Sequence, residues 1–130
     1  MTKQQHVKYW LESAQHDLET SKTLFNSEKY DWALFLAHLV LEKVIKAIFV
    51  QNHGNKIPPK IHNLVRLSEL ASLELDGSQK IFLDEVNDFN LEVRYPEFKK
   101  EFYKSCTKDF AHKYLSQIEE FQLWLKSHLK

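Results

Sequence analysis

One cysteine, two glycines and three prolines in 130 residues set the first limits. A lone Cys106 cannot close an intramolecular disulfide. So few turn-formers exclude most all-β architectures, which need such residues at short intervals. No G-x-G pair exists, so neither a P-loop nor a dinucleotide fingerprint is present. Neither sign of charge is in excess: Lys plus Arg is 18 and Asp plus Glu is 18, so no global field draws the chain to nucleic acid. The longest apolar stretch, Ala33 to Leu41 with His38 inside it, is far shorter than the roughly 20 residues of a membrane span. The first ten residues contain no apolar leader core. A cytoplasmic chain without a membrane segment is expected, and an unpaired thiol fits that compartment.

What remains is the composition of a soluble helical domain, 43% hydrophobic and 28% charged. A chain of this length buries about two-thirds of its unfolded surface, so one domain over residues 1–130 needs no staple. Helical periodicity is strong. Val7, Trp10, Leu11, Ala14, Leu18, Ser21, Leu24 and Phe25 step by three or four, and Asn26 or Ser27 then suits the cap of the next helix. That helix is predicted from about Glu28 to Gln51, with Ala33, Leu34, Ala37, Val40, Leu41, Val44, Ile45 and Ile48 on an apolar arc. Gly54 suits a left-handed terminus. Pro58-Pro59 marks an extended linker, followed by a short helix with Leu64, Leu67 and Leu70. A fourth helix is expected over about Ser78 to Leu91. One long last helix then starts near Pro96 and carries Phe98, Phe102, Cys106, Phe110, Tyr114, Ile118, Phe121 and Leu125. The expected fold is all-α, an up-and-down antiparallel four-helix bundle with a short additional helix.

Charge is uneven along this framework. Five basic residues and no acidic one lie between Lys43 and Arg66, whereas Glu69 to Glu92 holds seven acidic residues against one lysine. Such a local basic stretch can bind phosphate, or it can be a solvated helix face. At about 100° per residue, Asp31, Phe35, His38, Glu42 and Lys46 share a sector about 80° wide beside the apolar arc. A His, Glu and Lys in line can polarise a phosphate or exchange protons; Glu42 and Lys46 can equally be an ordinary i,i+4 ion pair. His62 stands beside a helix start, where backbone N–H groups are open to an anion, or it caps the linker. Arg94 can clamp a phosphate in a bidentate fork or pair with a nearby carboxylate. Tyr95, extended before Pro96, can stack on a base or plug the bundle end.

Common catalytic patterns are missing. There is no H-E-x-x-H, no Cys–His cluster and no G-x-S-x-G, so no metal site, cofactor or catalytic residue is indicated. Cys106 lies on the apolar stripe and reads as a buried thiol.

Together these segments resemble a HEPN domain (higher eukaryotes and prokaryotes nucleotide-binding). The likeness is carried by Trp10 and Ala14 to Leu18, Tyr30-Asp31-Trp32-Ala33, His38, Glu42-Lys43-Val44-Ile45-Lys46-Ala47, Pro58, His62-Asn63-Leu64 with Leu67, and Arg94-Tyr95-Pro96. The resemblance implies a homodimeric bundle with a nucleotide- or RNA-related role, acting beside a minimal nucleotidyltransferase in a toxin–antitoxin-like pair. Ribonuclease members carry an Arg followed after four to six residues by a His. Here the permitted positions after Arg66 hold Ala71, Ser72 and Leu73, and those after Arg94 hold Lys99, Lys100 and Glu101. That motif is absent.

The leading expectation is therefore a nucleotide-binding module using His38, Glu42, Lys43, Lys46, His62, Arg94 and Tyr95. Two alternatives stand beside it. One is a metal-independent ribonuclease of non-standard arrangement, with His38 or His62 as base and Arg94 as clamp. The other is a purely structural dimerising bundle whose surface recruits a partner protein, with Phe35 and Phe49 or the last helix around Trp124 as its contact face.

Overall fold

The computed structural model describes the backbone of every residue except Tyr95, and the side chains outside residues 91–100. Arg94, Tyr95 and Phe98, each given a role above, thus have side chains outside the described residues. Among the described residues six helices follow in order: α1 (Lys3–Asn26), α2 (Tyr30–Asn52), α3 (Leu64–Leu70), α4 (Gly77–Arg94), α5 (Pro96–Ser105) and α6 (Lys108–Lys126). No strand occurs among them. The four long helices α1, α2, α4 and α6 form the expected antiparallel bundle, with short α3 and α5 in the connections. No described helix is long and apolar enough to cross a membrane.

Local chemistry sets most of the helix ends. Thr2 and Gln5 open α1 with a reciprocal box: Gln5 N–H donates to Thr2 Oγ1 at 3.1 Å, and Thr2 N–H donates to Gln5 Oε1 at 2.9 Å. Asp76 and Gln79 repeat that exchange at the start of α4. The hydrogen bonds from Gln79 and Ser78 hold the Asp76 carboxyl below its usual range. Gly54 follows α2 at φ 65°, the left-handed conformation its sequence position suggested.

Two expected boundaries are corrected. Asn26 and Ser27 do not cap α2. Ser27 closes α1, its N–H donating to Thr23 O, while α2 starts after Lys29 with no side-chain cap. The predicted single last helix is two helices. Thr107 interrupts it, because its hydroxyl takes the Phe110 N–H at 3.2 Å and restarts the chain as α6. Phe102, Cys106 and Phe110 keep their four-residue step across the break, and this masks it in the sequence.

Helix α2 is the centre of the molecule. α1 lies along it, and α3, α4, α5 and α6 also touch it. Leu34, Leu41, Ile45 and Ile48 are completely buried there, meeting Leu64, Leu67, Leu83, Ile118 and Leu125 from the surrounding helices. Each such side chain contributes about 1.5–3 kcal/mol of transfer free energy. Ser21 Oγ donates to Ala33 O at 2.7 Å and ties α1 to the first turn of α2.

Candidate functional site

The polar sector of α2 does not face solvent. His38, Glu42 and Lys46 are all buried, beneath the linker that carries Pro58 and His62. A buried polar stripe needs internal partners; here the linker meets His38 and Glu42, and Glu42 in turn meets Lys46.

Glu42 is the hub. Its Oε2 accepts from Lys46 Nζ at 3.0 Å, and its Oε1 lies 2.8 Å from His62 Nδ1. A carboxylate only accepts, so His62 Nδ1 carries the proton. His62 Nε2 is left without a partner among the described residues, on a side chain that is 54% exposed. His38 Nε2 lies 3.1 Å from the His62 carbonyl, which fixes its hydrogen on Nε2 by the same reasoning. Its Nδ1 is buried with no hydrogen-bond partner among the described residues. Burial pushes the His38 pKa down to about 4, only partly opposed by Glu42 and the His62 carbonyl, so the ring is neutral at pH 7. Lys46 Nζ also sits 5.3 Å from the centre of the Trp10 ring, a cation–π contact from α1.

This arrangement is a carboxylate–imidazole dyad with one outward nitrogen. The carboxylate fixes the tautomer and aim of His62, while Lys46 balances the carboxylate. Protonated, His62 Nε2–H can donate to a phosphate oxygen; neutral, Nε2 can take a hydroxyl proton.

The acid-free basic stretch is not a continuous positive surface. Lys43 Nζ lies 2.6 Å from Asp17 Oδ2, joining α2 to α1 as an ion pair. Lys46 is spent on Glu42, and Arg66 faces Glu69 at 3.4 Å. Lys56 and Lys60 remain exposed on the linker. The start of α3 is also occupied: Asn63 Oδ1 accepts from Arg66 N–H at 3.0 Å, and Asn87 Oδ1 accepts from Leu64 N–H at 2.8 Å. Two of the backbone donors expected to be open to an anion, those of Leu64 and Arg66, are therefore taken. The flank toward α4 is acidic, with Asp84, Glu85 and Asp88 around a hollow that reaches Asn63. Desolvation, followed by Asp84 and Glu85, holds the Asp88 carboxyl above its usual range.

Of the residues singled out in the sequence, the fold thus brings His38, Glu42, Lys46 and His62 into one hydrogen-bonded group. Lys43 stands apart on the α1 side. Trp10 and Asp17 are partners that the sequence reading missed; Asp17 gave a signal in falling between Ala14 and Leu18 on the inward face. Phe35 and Phe49 are half-buried, Phe35 edge-on to Trp32 and Phe49 stacked on His53. Cys106 is buried. Among the described residues, no three His, Cys, Asp or Glu side chains converge as a metal site needs.

Comparison with known proteins agrees with this architecture. The crystal structure of TT1696 from Thermus thermophilus superposes with a TM-score of 0.76, covering 95% of this chain and 98% of that one. Sequence identity is 18%, so that likeness concerns the fold. No curated protein sequence matches the chain. The HEPN domain family matches residues 7–128. With nearly its whole length matched and the bundle in place, the chain belongs to the HEPN domain family and is, at the level of that family, a nucleotide- or RNA-related module.

Proposed function

We propose that the chain binds a nucleotide or RNA phosphate at His62, with Glu42 holding the ring and Lys46 and His38 fixing the dyad from beneath. The supporting observation is the 2.8 Å bond from His62 Nδ1 to a buried carboxylate, which aims Nε2 outward. Lys56 and Lys60 on the same linker supply long-range attraction. Arg94 and Tyr95 complete the proposal as phosphate clamp and base-stacking ring. Lys43 acts by keeping α1 against α2 through Asp17.

Family membership supports extending this reading to a homodimer that works beside a minimal nucleotidyltransferase, in a toxin–antitoxin-like pair. The test is calorimetric titration of ATP and of a short RNA into the wild type and His62→Ala. The variant should bind about 1–3 kcal/mol more weakly, the range for a lost charge-assisted contact. Equal affinity in a folded variant would remove His62 from the site.

The dyad geometry also favours a second reading, a metal-independent ribonuclease. Neutral His62 would take the ribose 2′-hydroxyl proton as that oxygen attacks the adjacent phosphorus; the P–O5′ bond breaks, and the leaving oxygen takes a proton from water, leaving a cyclic phosphate. Single-turnover cleavage of an RNA pool in the presence of chelator checks it. Cleavage that His62→Ala leaves unchanged would dispose of it.

A further inference from the structure

A second cavity, of about 420 Å³, opens at the other end of α2, lined by Glu28, Tyr30, Asp31, Tyr103, Lys104 and Cys106. Its volume suits a small molecule. Asp31 is only 4% exposed, yet its carboxylate has no hydrogen bond or ion pair among the described residues. The positive end of the α2 dipole eases that charge, since Asp31 lies in the first helical turn. A dipole is a weak substitute for a counter-ion at this depth, and buried charges are ordinarily paired. Lys104, the cation in the described lining, forms no ion pair with Asp31, and its side chain is exposed.

We propose that this cavity is a binding site for a small organic cation, an alkylammonium or guanidinium group, with Asp31 as its counter-ion. The rest of the lining fits that class. Glu28 contributes a second carboxylate at the rim. Tyr30 and Tyr103 contribute aromatic faces, which attract cations, and Tyr103 is 65% exposed at the mouth. Tyr30 is itself held edge-on to Phe25, so its ring is a fixed wall. Among the described lining residues, two carboxylates stand against one lysine, an excess of one negative charge that one bound monocation neutralises. This site is independent of the His62 dyad, so either reading can fail without the other.

The test uses n-butylammonium as probe and 1-pentanol as its uncharged counterpart, titrated into the full chain and followed by ligand-observed NMR. Saturable binding of the cation and none of the alcohol is expected. Asp31→Asn should weaken cation binding about tenfold or more, the loss of a charge-assisted partner. Lys104→Gln, on an exposed side chain, should strengthen binding about two- to threefold by removing a competing charge. Asp31→Asn binding like the wild type, or no saturable binding of the cation by wild type, would overturn the proposal. So would a Lys104→Gln variant with lowered thermal stability and unimproved binding, because Lys104 would then be the counter-ion of Asp31. Should Asp31→Asn fail to fold, the Lys104→Gln comparison still decides.

Discussion

Glu42 and His62 are twenty residues apart in the chain and 2.8 Å apart in the fold. The bond pins the proline linker onto α2, so one interaction shapes both the bundle and its candidate chemistry. Because Lys46 shares the carboxylate, the three groups stand or fall together.

Removing the charge at the hub therefore has a large predicted effect. Glu42→Gln leaves Lys46 buried without a counter-ion and should cost about 3–5 kcal/mol in urea unfolding. Adding Lys46→Met should recover most of that loss, because replacing a buried pair by apolar volume is often neutral. No recovery in the double variant would show that Glu42 stabilises chiefly through His62.

His38 predicts a specific acid sensitivity. Its pKa is about 4 in the folded protein against an ordinary 6.5, so between those values the unfolded chain binds more protons. The contribution is complete above about pH 6.5, declines as pH falls, and is gone by about pH 4. Its full extent is about 3 kcal/mol, of which about 2 kcal/mol should be lost at pH 5. Urea midpoints at pH 7 and pH 5 measure it, and the slope should flatten in His38→Gln.

Thr107 should matter more than its exposure suggests. Thr107→Ala removes the hydroxyl that receives the Phe110 N–H, and about 1 kcal/mol of stability should go with it. Thr107→Ser keeps the acceptor and should be close to wild type.

In the core, Leu41→Ala should cost about 2–5 kcal/mol, since Leu41 is completely buried among helices that cannot all close on the gap. Chemical denaturation should show an unchanged m-value and a lowered midpoint.

Most of the fold was legible because the helices carry their inward faces at regular steps: Ala14, Leu18 and Ser21 on α1, and Leu34, Leu41, Ile45 and Ile48 on α2, are buried as their spacing suggests. The stripe His38, Glu42, Lys46 was legible too, but its burial was not. Periodicity places side chains around one helix; it does not say that a linker will lie across them. The pairing of His62 with Glu42 depends on that crossing, and Lys43 with Asp17 on the rotation of α1 against α2. The break at Thr107 escaped because the four-residue aromatic step runs through it undisturbed. Arg94 and Tyr95 were readable as a motif whose side chains lie outside the described residues.

The burial of most of the α2 circumference has a consequence for sequence length. Inserting or deleting one residue midway along it would turn everything downstream by about 100°. On a helix with a free outer face, such a turn exchanges some core for some surface and can be absorbed. Here it would drive Lys46 toward an apolar neighbour and move Glu42 away from the linker in the same step. The helix thus has a single permitted angular setting, and its buried ion pair, Glu42 with Lys46, acts as the key that selects it. Substitutions on α2 can be graded by volume, whereas length changes within it are expected to abolish folding outright.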